Sequence, residues 1–260
     1  MMRSYRSEWV KLRRPRFFLI ALGASVGAGI LGSVVAVTTA SDASDVGRGP
    51  MSTMAELEAV DGLLTGATNL AMMFGILALA LGAYAAANEF ALGTVRTLIV
   101  RESRRVRLWS GKLLATSSFV ALMALVASVA SGFAMYGLAP TRDVDTSLWT
   151  SIDGAIATVG ATGSVVGSSL VFCLVGFLLG MVFRSSAAAI AIGIGWMVVL
   201  EGLVVSMWDA AANWLPGELA GALSAGGTAD ISMASAIVGC VAWGVVAWLG
   251  SITRFRRLEV

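Results

Sequence analysis

Six long apolar runs constrain the fold of this chain more than any other feature. The runs occupy residues 17–39, 63–87, 113–137, 156–183, 187–207 and 231–252. A hydrocarbon core about 30 Å thick is crossed by a helix of about 20 apolar residues. Only 13% of the residues are charged, against about a quarter in a typical soluble domain. The sequence therefore predicts an all-α integral membrane protein, a single transmembrane domain over 1–260 with six spans.

Two details of the runs refine the prediction. The fourth run is longer than a span requires and begins with a Gly/Thr-rich section, so its membrane portion is expected to start near Ser164. The fourth and fifth runs are joined only by "RSSA", which predicts a tight hairpin.

The distribution of Lys and Arg predicts the orientation. With the N-terminus inside, 16 of the 18 basic residues fall in cytoplasmic segments, and only Arg48 and Arg142 fall outside. Cytoplasmic loops of membrane proteins carry such an excess of Lys and Arg. Both termini and the connection 88–112 are therefore predicted to face the cytoplasm. A cleaved signal peptide is disfavoured, because the first apolar run exceeds the about 7–15 residues of a signal h-region.

The N-terminal segment, residues 1–16, has an amphipathic pattern. Tyr5, Trp9 and Leu12 share one helical face, while Arg and Lys occupy most of the rest. Pro15 disfavours helix at the residue before it. The pattern favours an interfacial elbow helix lying against the lipid headgroups. The alternative is a plain basic anchor before the first span.

The loop between the fifth and sixth spans is longer than a turn. Pro216 is suited to begin a short helix at "GELAGAL", which Gly226 and Gly227 would end. The sequence predicts either a small extracellular cap or re-entrant helix here, or a loose loop.

Few residues are candidates for chemistry. The chain has no His, Cys173 and Cys240 lie singly within apolar runs, and the Gly111-Lys112 pair lacks the rest of a phosphate-binding loop. We therefore expect no catalytic residue and no metal site. Glu201 is the one ionisable residue clearly inside a span. It is either a polar site for a cation, a proton or cargo, or a structural hydrogen-bonding group near the outer surface.

The connection 88–112 carries six Lys and Arg residues and a helical stripe of apolar positions. One interpretation is a coupling helix that docks into a groove of a partner protein. The other is a solvated basic face that binds anionic lipid.

The order of residues in this connection resembles the permeases of type-2 ATP-binding-cassette (ABC) exporters. The resemblance rests on "EFALGTVRTLIV" and "ESRRVRLWSGKLLA" and on the N-terminal "SEWVKLRR". Many members of that family have Pro where this chain has Arg101 or Glu102. The matching positions are Glu8, Lys11, Leu12, Arg13, Glu89, Gly93, Thr94, Leu98, Ser103, Arg104, Arg105, Gly111 and Lys112.

The resemblance implies a six-span permease subunit of a bacterial plasma membrane. Such a subunit moves a hydrophobic or amphipathic cargo outward and pairs with a second permease copy, identical or homologous. Separate cytoplasmic ATPase subunits bind the ATP and Mg, so this chain needs no cofactor, no enzymatic activity and no nucleic-acid partner. The residues from Glu89 to Arg105 would couple the ATPase to the spans. Two alternatives are an ion-gradient-driven secondary transporter that uses Glu201 and a non-transporting membrane scaffold.

Overall fold

A computed structural model describes residues 2–41, 52–93 and 105–256. Within these ranges the chain is helical and contains no strand. Six helices are long and apolar enough to cross a membrane, so the prediction of six spans is confirmed. The helices are α1 (Met2–Leu12), α2 (Pro15–Thr39), α3 (Met54–Glu58), α4 (Thr65–Asn69), α5 (Ala71–Ala91), α6 (Arg105–Leu138), α7 (Ile152–Phe183), α8 (Ser186–Ile194), α9 (Glu201–Met207), α10 (Pro216–Ser224) and α11 (Met233–Arg256).

The first span, α2, follows a break after α1. Arg14 has an extended ψ of 127°, and Pro15 opens α2 at its first position, where a missing N–H is tolerated. The structure thus contains a short N-terminal helix followed by a turn into the first span.

Three span boundaries differ from the sequence prediction. The second span begins at Ala71 rather than residue 63, because 62–70 form a 3₁₀ turn and the short helix α4. The third span begins at Arg105 rather than residue 113, so part of the predicted loop 88–112 is helix. The helix of the fourth span begins at Ile152 rather than residue 156.

The late start of the second span has its cause in a contact between α2 and α4. Gly32 of α2 and Gly66 of α4 lie backbone against backbone, and a side chain on either residue would overlap the other helix. This contact draws α4 against the first span and separates it from α5.

The second and fourth spans, α5 and α7, pack closely. A side chain at Gly82 would overlap the carbonyl of Cys173, and one at Gly176 would overlap the carbonyl of Leu79. Such small residues permit helices to approach in a membrane, where van der Waals contact drives association. The two spans therefore form the tightest pair of the bundle.

The predicted hairpin between the fourth and fifth spans is present. Arg184 takes a left-handed conformation with a φ of 53° at the end of α7. Ser185 then caps α8 by accepting a hydrogen bond from the backbone N–H of Ala188.

The fifth span has three parts. Helix α8 passes into a single π-helical turn over Gly195–Leu200, and α9 continues to Met207. Helix α10 then turns back into the bundle, where Leu219 and Ala220 are fully or almost fully buried. The helix predicted at "GELAGAL" is thus present and packs between the spans.

Large apolar side chains cover the outside of the bundle. Leu19, Ile20, Phe133 and Val159 are each more than 60% exposed. A soluble monomer rarely exposes contiguous apolar surface on this scale. The exposed faces therefore fit a hydrocarbon surrounding, as the six spans require.

Candidate functional site

Glu89 and Lys112 lie on either side of the connection between the second and third spans. Glu89 occupies the last turn of α5, and Lys112 lies two turns into α6. Both residues are only 5% exposed. Their charged groups are paired, with 2.7 Å between Lys112 Nζ and Glu89 Oε1. The two helix ends that flank the connection are thus joined by a buried ion pair.

Helix α1 adds three further ion pairs through Glu8 and Lys11. Lys112 Nζ lies 3.0 Å from Glu8 Oε2, and Lys11 Nζ lies 2.7 Å from Glu8 Oε1 and 3.1 Å from Glu89 Oε1. Each amine therefore contacts both carboxylates. We call Glu8, Lys11, Glu89 and Lys112 the charge cluster. Two positive and two negative groups balance within it, as buried charges require.

The pairing affects the ionisation of Lys11. Burial acts to lower its pKa, but hydrogen bonds and charge interactions with Glu8 and Glu89 outweigh burial and raise the pKa above 10.5. Lys11 is therefore a cation at all physiological pH values.

Helix α1 is also hydrogen-bonded to α6 beside the charge cluster. Trp9 Nε1 donates to Ser118 Oγ at 3.1 Å, and the Tyr5 hydroxyl lies 3.1 Å from the same oxygen. Ser4 donates to the carbonyl of Leu108. The face predicted to meet lipid thus rests at least partly on protein, with Trp9 and Leu12 against an apolar cluster of α2, α5 and α6.

Aromatic contacts hold the N-terminal end of α6. Trp109 is 2% exposed and stacks on Phe255 of α11, with ring centroids 4.5 Å apart and planes at 13°. The Phe177 ring of α7 also contacts Trp109, with ring centroids 5.2 Å apart and planes at 57°. Three spans therefore meet at one indole ring, which explains why α6 begins eight residues earlier than its apolar run.

The connection itself begins at a glycine. Gly93 has a φ of +65°, and its N–H bonds to the carbonyl of Phe90 at the end of α5. Glycine is favoured in this left-handed helix-ending conformation. Arg184 lies 5.6 Å above the Phe90 ring, so the hairpin between the fourth and fifth spans also contacts this end of α5.

The remaining predicted coupling residues are only partly within the structure. Thr94, Leu98, Ser103 and Arg104 lie outside the described residues. Arg105 is the first residue of α6, and only its backbone is described. The described members of the charge cluster therefore lie on both sides of the connection.

Glu201 lies far along the chain from this cluster, at the first residue of α9. Its side chain is 0% exposed, whereas Leu200 and Leu203 beside it are exposed. Glu201 Oε2 accepts hydrogen bonds from the backbone N–H groups of Gly217 at 2.7 Å and Glu218 at 3.1 Å. Its Oε1 forms no hydrogen bond of normal length and angle with any described residue.

Two features of the chain permit this arrangement of Glu201. The π-helical turn directly before α9 adds a residue to one turn, which changes the direction of every side chain after it. A side chain at Gly217 would overlap the Glu201 carboxylate, so glycine admits the close contact. One carboxylate oxygen thus holds the first turn of α10, where helices have unsatisfied N–H groups.

No chemistry beyond these charges is apparent in the described residues. They contain no group of three or more potential metal-ligating residues, and Cys173 and Cys240 are both buried and unbridged. Sequence reasoning had singled out Glu8, Lys11 and Glu89, but it missed the ion pairing of Lys112 and the role of Trp109. The sequence did offer one signal, because Lys11 and Lys112 are the only lysines in a chain with sixteen arginines.

A family described as "Protein of unknown function (DUF2705)" matches residues 48–260 of the chain. A search of curated proteins finds no match.

Proposed function

The chain belongs to the DUF2705 family, and we propose that it is the transmembrane permease subunit of an ATP-driven ABC exporter. The observation that carries the proposal is the charge cluster, which ties the amphipathic helix α1 to both ends of the connection 92–104. The same connection holds the ordered residues that resemble those of type-2 ABC permeases.

The cluster supports a coupling role because it makes three helices one mechanical unit. A partner that displaces the connection displaces α5 and α6, and the ion pairs of Glu8 and Lys11 carry α1 along. Breaking a buried ion pair by removing one partner costs about 3–5 kcal/mol. In this proposal, a displacement of the connection 92–104 therefore also moves α1, α5 and α6.

In this proposal the connection docks a separate cytoplasmic ABC ATPase, which binds ATP and Mg. Both termini face the cytoplasm of a bacterium, and a second permease copy, identical or homologous, completes the pathway. Closure of the ATPase pair shifts the spans between two states, and a hydrophobic or amphipathic cargo leaves across the plasma membrane. This chain supplies coupling and pathway but no catalysis.

The geometry of Glu201 favours this function over an ion-driven one. Glu201 Oε2 accepts two hydrogen bonds from the backbone of α10, which is a structural role. A secondary transporter that uses Glu201 would require that contact to break in each cycle.

The proposal is tested by what the chain binds and by charge reversal in the connection. Purification from the native membrane in mild detergent should recover an ABC ATPase with the chain. Arg104→Glu combined with Arg105→Glu should abolish that recovery and reduce ATP-dependent transport, because the docking cations change sign. The matched control is Arg254→Glu, an exposed cation at the end of α11, which should retain the ATPase.

Two results would contradict the proposal. One is recovery of the chain without any ATPase while it still transports. The other is an ATPase that remains bound to the Arg104/Arg105 variant as tightly as to the Arg254 control.

A further inference from the structure

Two cavities meet between the fourth and sixth spans, and they differ in polarity. The smaller, of about 240 Å³, has a mixed lining of polar and apolar residues and lies near Asp61, beside the N-terminal part of α7. The larger, of about 480 Å³, is apolar and runs along α7 and α11. Gly160, Ser164 and Met233 line both cavities. Together they form one amphipathic site, which belongs neither to the charge cluster nor to the contact of Glu201.

The apolar part has the dimensions of an alkyl chain. It follows α7 from Gly160 to Leu174, a rise of about 21 Å over fourteen residues. One leaflet of a bilayer core is about 15 Å deep, half of the full thickness. Gly160 and Gly163 have open space where a side chain would lie, so the groove is wide enough to admit a chain from the lipid.

The polar part consists mainly of hydrogen-bond acceptors. The hydroxyls of Thr68 and Ser224 already donate to the carbonyls of Thr65 and Gly221, so toward a ligand each hydroxyl oxygen can only accept. Asp61 adds an exposed carboxylate, and among the residues that the structure describes no Lys or Arg lines either cavity. The group that complements this lining is a cationic hydrogen-bond donor.

Ser164 marks the junction of the two parts. The residue is 5% exposed and lines both cavities. Its side chain therefore lies where the polar and the apolar part of the site meet. A serine hydroxyl in this position can hydrogen-bond to a polar ligand atom, because it both donates and accepts.

We propose that this site binds an amphiphile with one alkyl chain and a primary ammonium head. The chain lies in the groove between α7 and α11, and the ammonium donates to Asp61 and to the hydroxyl oxygens of Thr68 and Ser224. The positive-inside count puts this end of α7 at the outer face, so the ligand approaches from the outer leaflet. Binding is independent of any ATPase.

The test measures binding of three probes of equal chain length to the purified full chain. Native mass spectrometry in detergent compares hexadecylamine, hexadecanol and palmitate. Hexadecylamine should bind in a single copy and about tenfold more tightly than the other two, which corresponds to ~1.4 kcal/mol. Equal binding of all three, or tighter binding of palmitate, would overturn the proposal.

Two variants test separately the binding of the ammonium head and of the alkyl chain of the ligand. Asp61→Asn should lower the affinity for hexadecylamine about tenfold and leave hexadecanol unchanged. Gly163→Leu should weaken both probes because it fills the groove. Gly23→Leu is the matched control: it also has open space around it but lies in α2, and it should bind all probes as the wild type does.

A photoreactive hexadecylamine should label peptides of α7 and α11. Labelling confined to other spans, or unchanged hexadecylamine binding in either Asp61→Asn or Gly163→Leu, would refute the site. Thermal unfolding of each variant shows that the chain remains folded, so that lost binding reports on the cavity alone.

Discussion

Lys112→Met is the most direct perturbation of the charge cluster. The side chains of Lys112 and Glu89 are 7% and 6% exposed, so the value for a buried ion pair applies. Loss of one partner of such a pair costs about 3–5 kcal/mol. Lys11 still contacts both carboxylates, so we expect the lower end, a loss of about 3 kcal/mol in the free energy of unfolding.

A double-mutant cycle isolates the interaction itself. The chain is unfolded by SDS titration in mixed micelles, with helicity as the readout, for Lys112→Met, Glu89→Gln and the double variant. The double variant removes one positive and one negative group and leaves the Glu8–Lys11 pair balanced. Its loss should therefore be smaller than the sum of the single losses, with a coupling energy of about 2 kcal/mol.

Lys11→Met is the internal control for this cycle. The Lys11 side chain is 48% exposed, and exposed ion pairs contribute only about 0.2–1 kcal/mol. The reasoning is refuted if Lys112→Met costs no more than Lys11→Met, or if the single losses at Glu89 and Lys112 simply add.

Four further predictions concern other parts of the molecule. Trp109→Ala removes the ring between Phe177 and Phe255 and should lower the free energy of unfolding by about 3–5 kcal/mol in the same titration, whereas Trp214→Ala, at a 74% exposed residue, should have little effect. Gly176→Leu forces α7 away from the Leu79 carbonyl of α5 and should prevent recovery of folded protein, whereas Gly137→Leu, which meets open space, should be recovered normally. Glu201→Leu leaves the N–H groups of Gly217 and Glu218 without their acceptor and should destabilise α10 by about 1–3 kcal/mol. The measurement is hydrogen exchange, which should become faster in α10. Unchanged exchange would show that the contact is dispensable. The stabilising contribution of Lys11 should be constant below pH 10.5 and decline only as the pH rises through its raised pKa. The reason is that the folded state binds the proton more tightly than the unfolded state. A decline of this contribution near neutral pH, measured as the stability difference between the wild type and Lys11→Met, would contradict the ion pairing.

The sequence predicted the spans well because hydrophobic length is a local property. Its errors lie where tertiary contacts decide the helix ends. The polar start of α6 is helical because Trp109 is buried against α7 and α11, which no local pattern indicates. The break at residues 62–70 depends on the contact of Gly66 with α2, a partner more than thirty residues away.

The charge cluster was only partly predictable for the same reason. Glu8, Lys11 and Glu89 stand out as charges beside apolar runs, but their pairing requires three helices to meet. The use of Lys at the two amine positions is informative. A lysine ammonium is a compact charge with three donors, whereas the planar guanidinium of Arg favours one carboxylate in a bidentate fork. Lysine therefore suits positions 11 and 112, where each amine contacts two carboxylates, although all other basic residues of the chain are arginines.

The close packing of α5 and α7 connects the charge cluster to the opposite end of the bundle. Glu89 lies in the last turn of α5, and α5 is held against α7 by backbone contacts at Gly82 and Gly176. Leu219 of α10 lies in the same apolar cluster as Leu79 of α5 and Phe172 of α7. Packed interiors move between discrete arrangements rather than deform continuously. We therefore expect a displacement of α5 at the charge cluster to move α7 with it and to shift α10, which Glu201 holds to the fifth span.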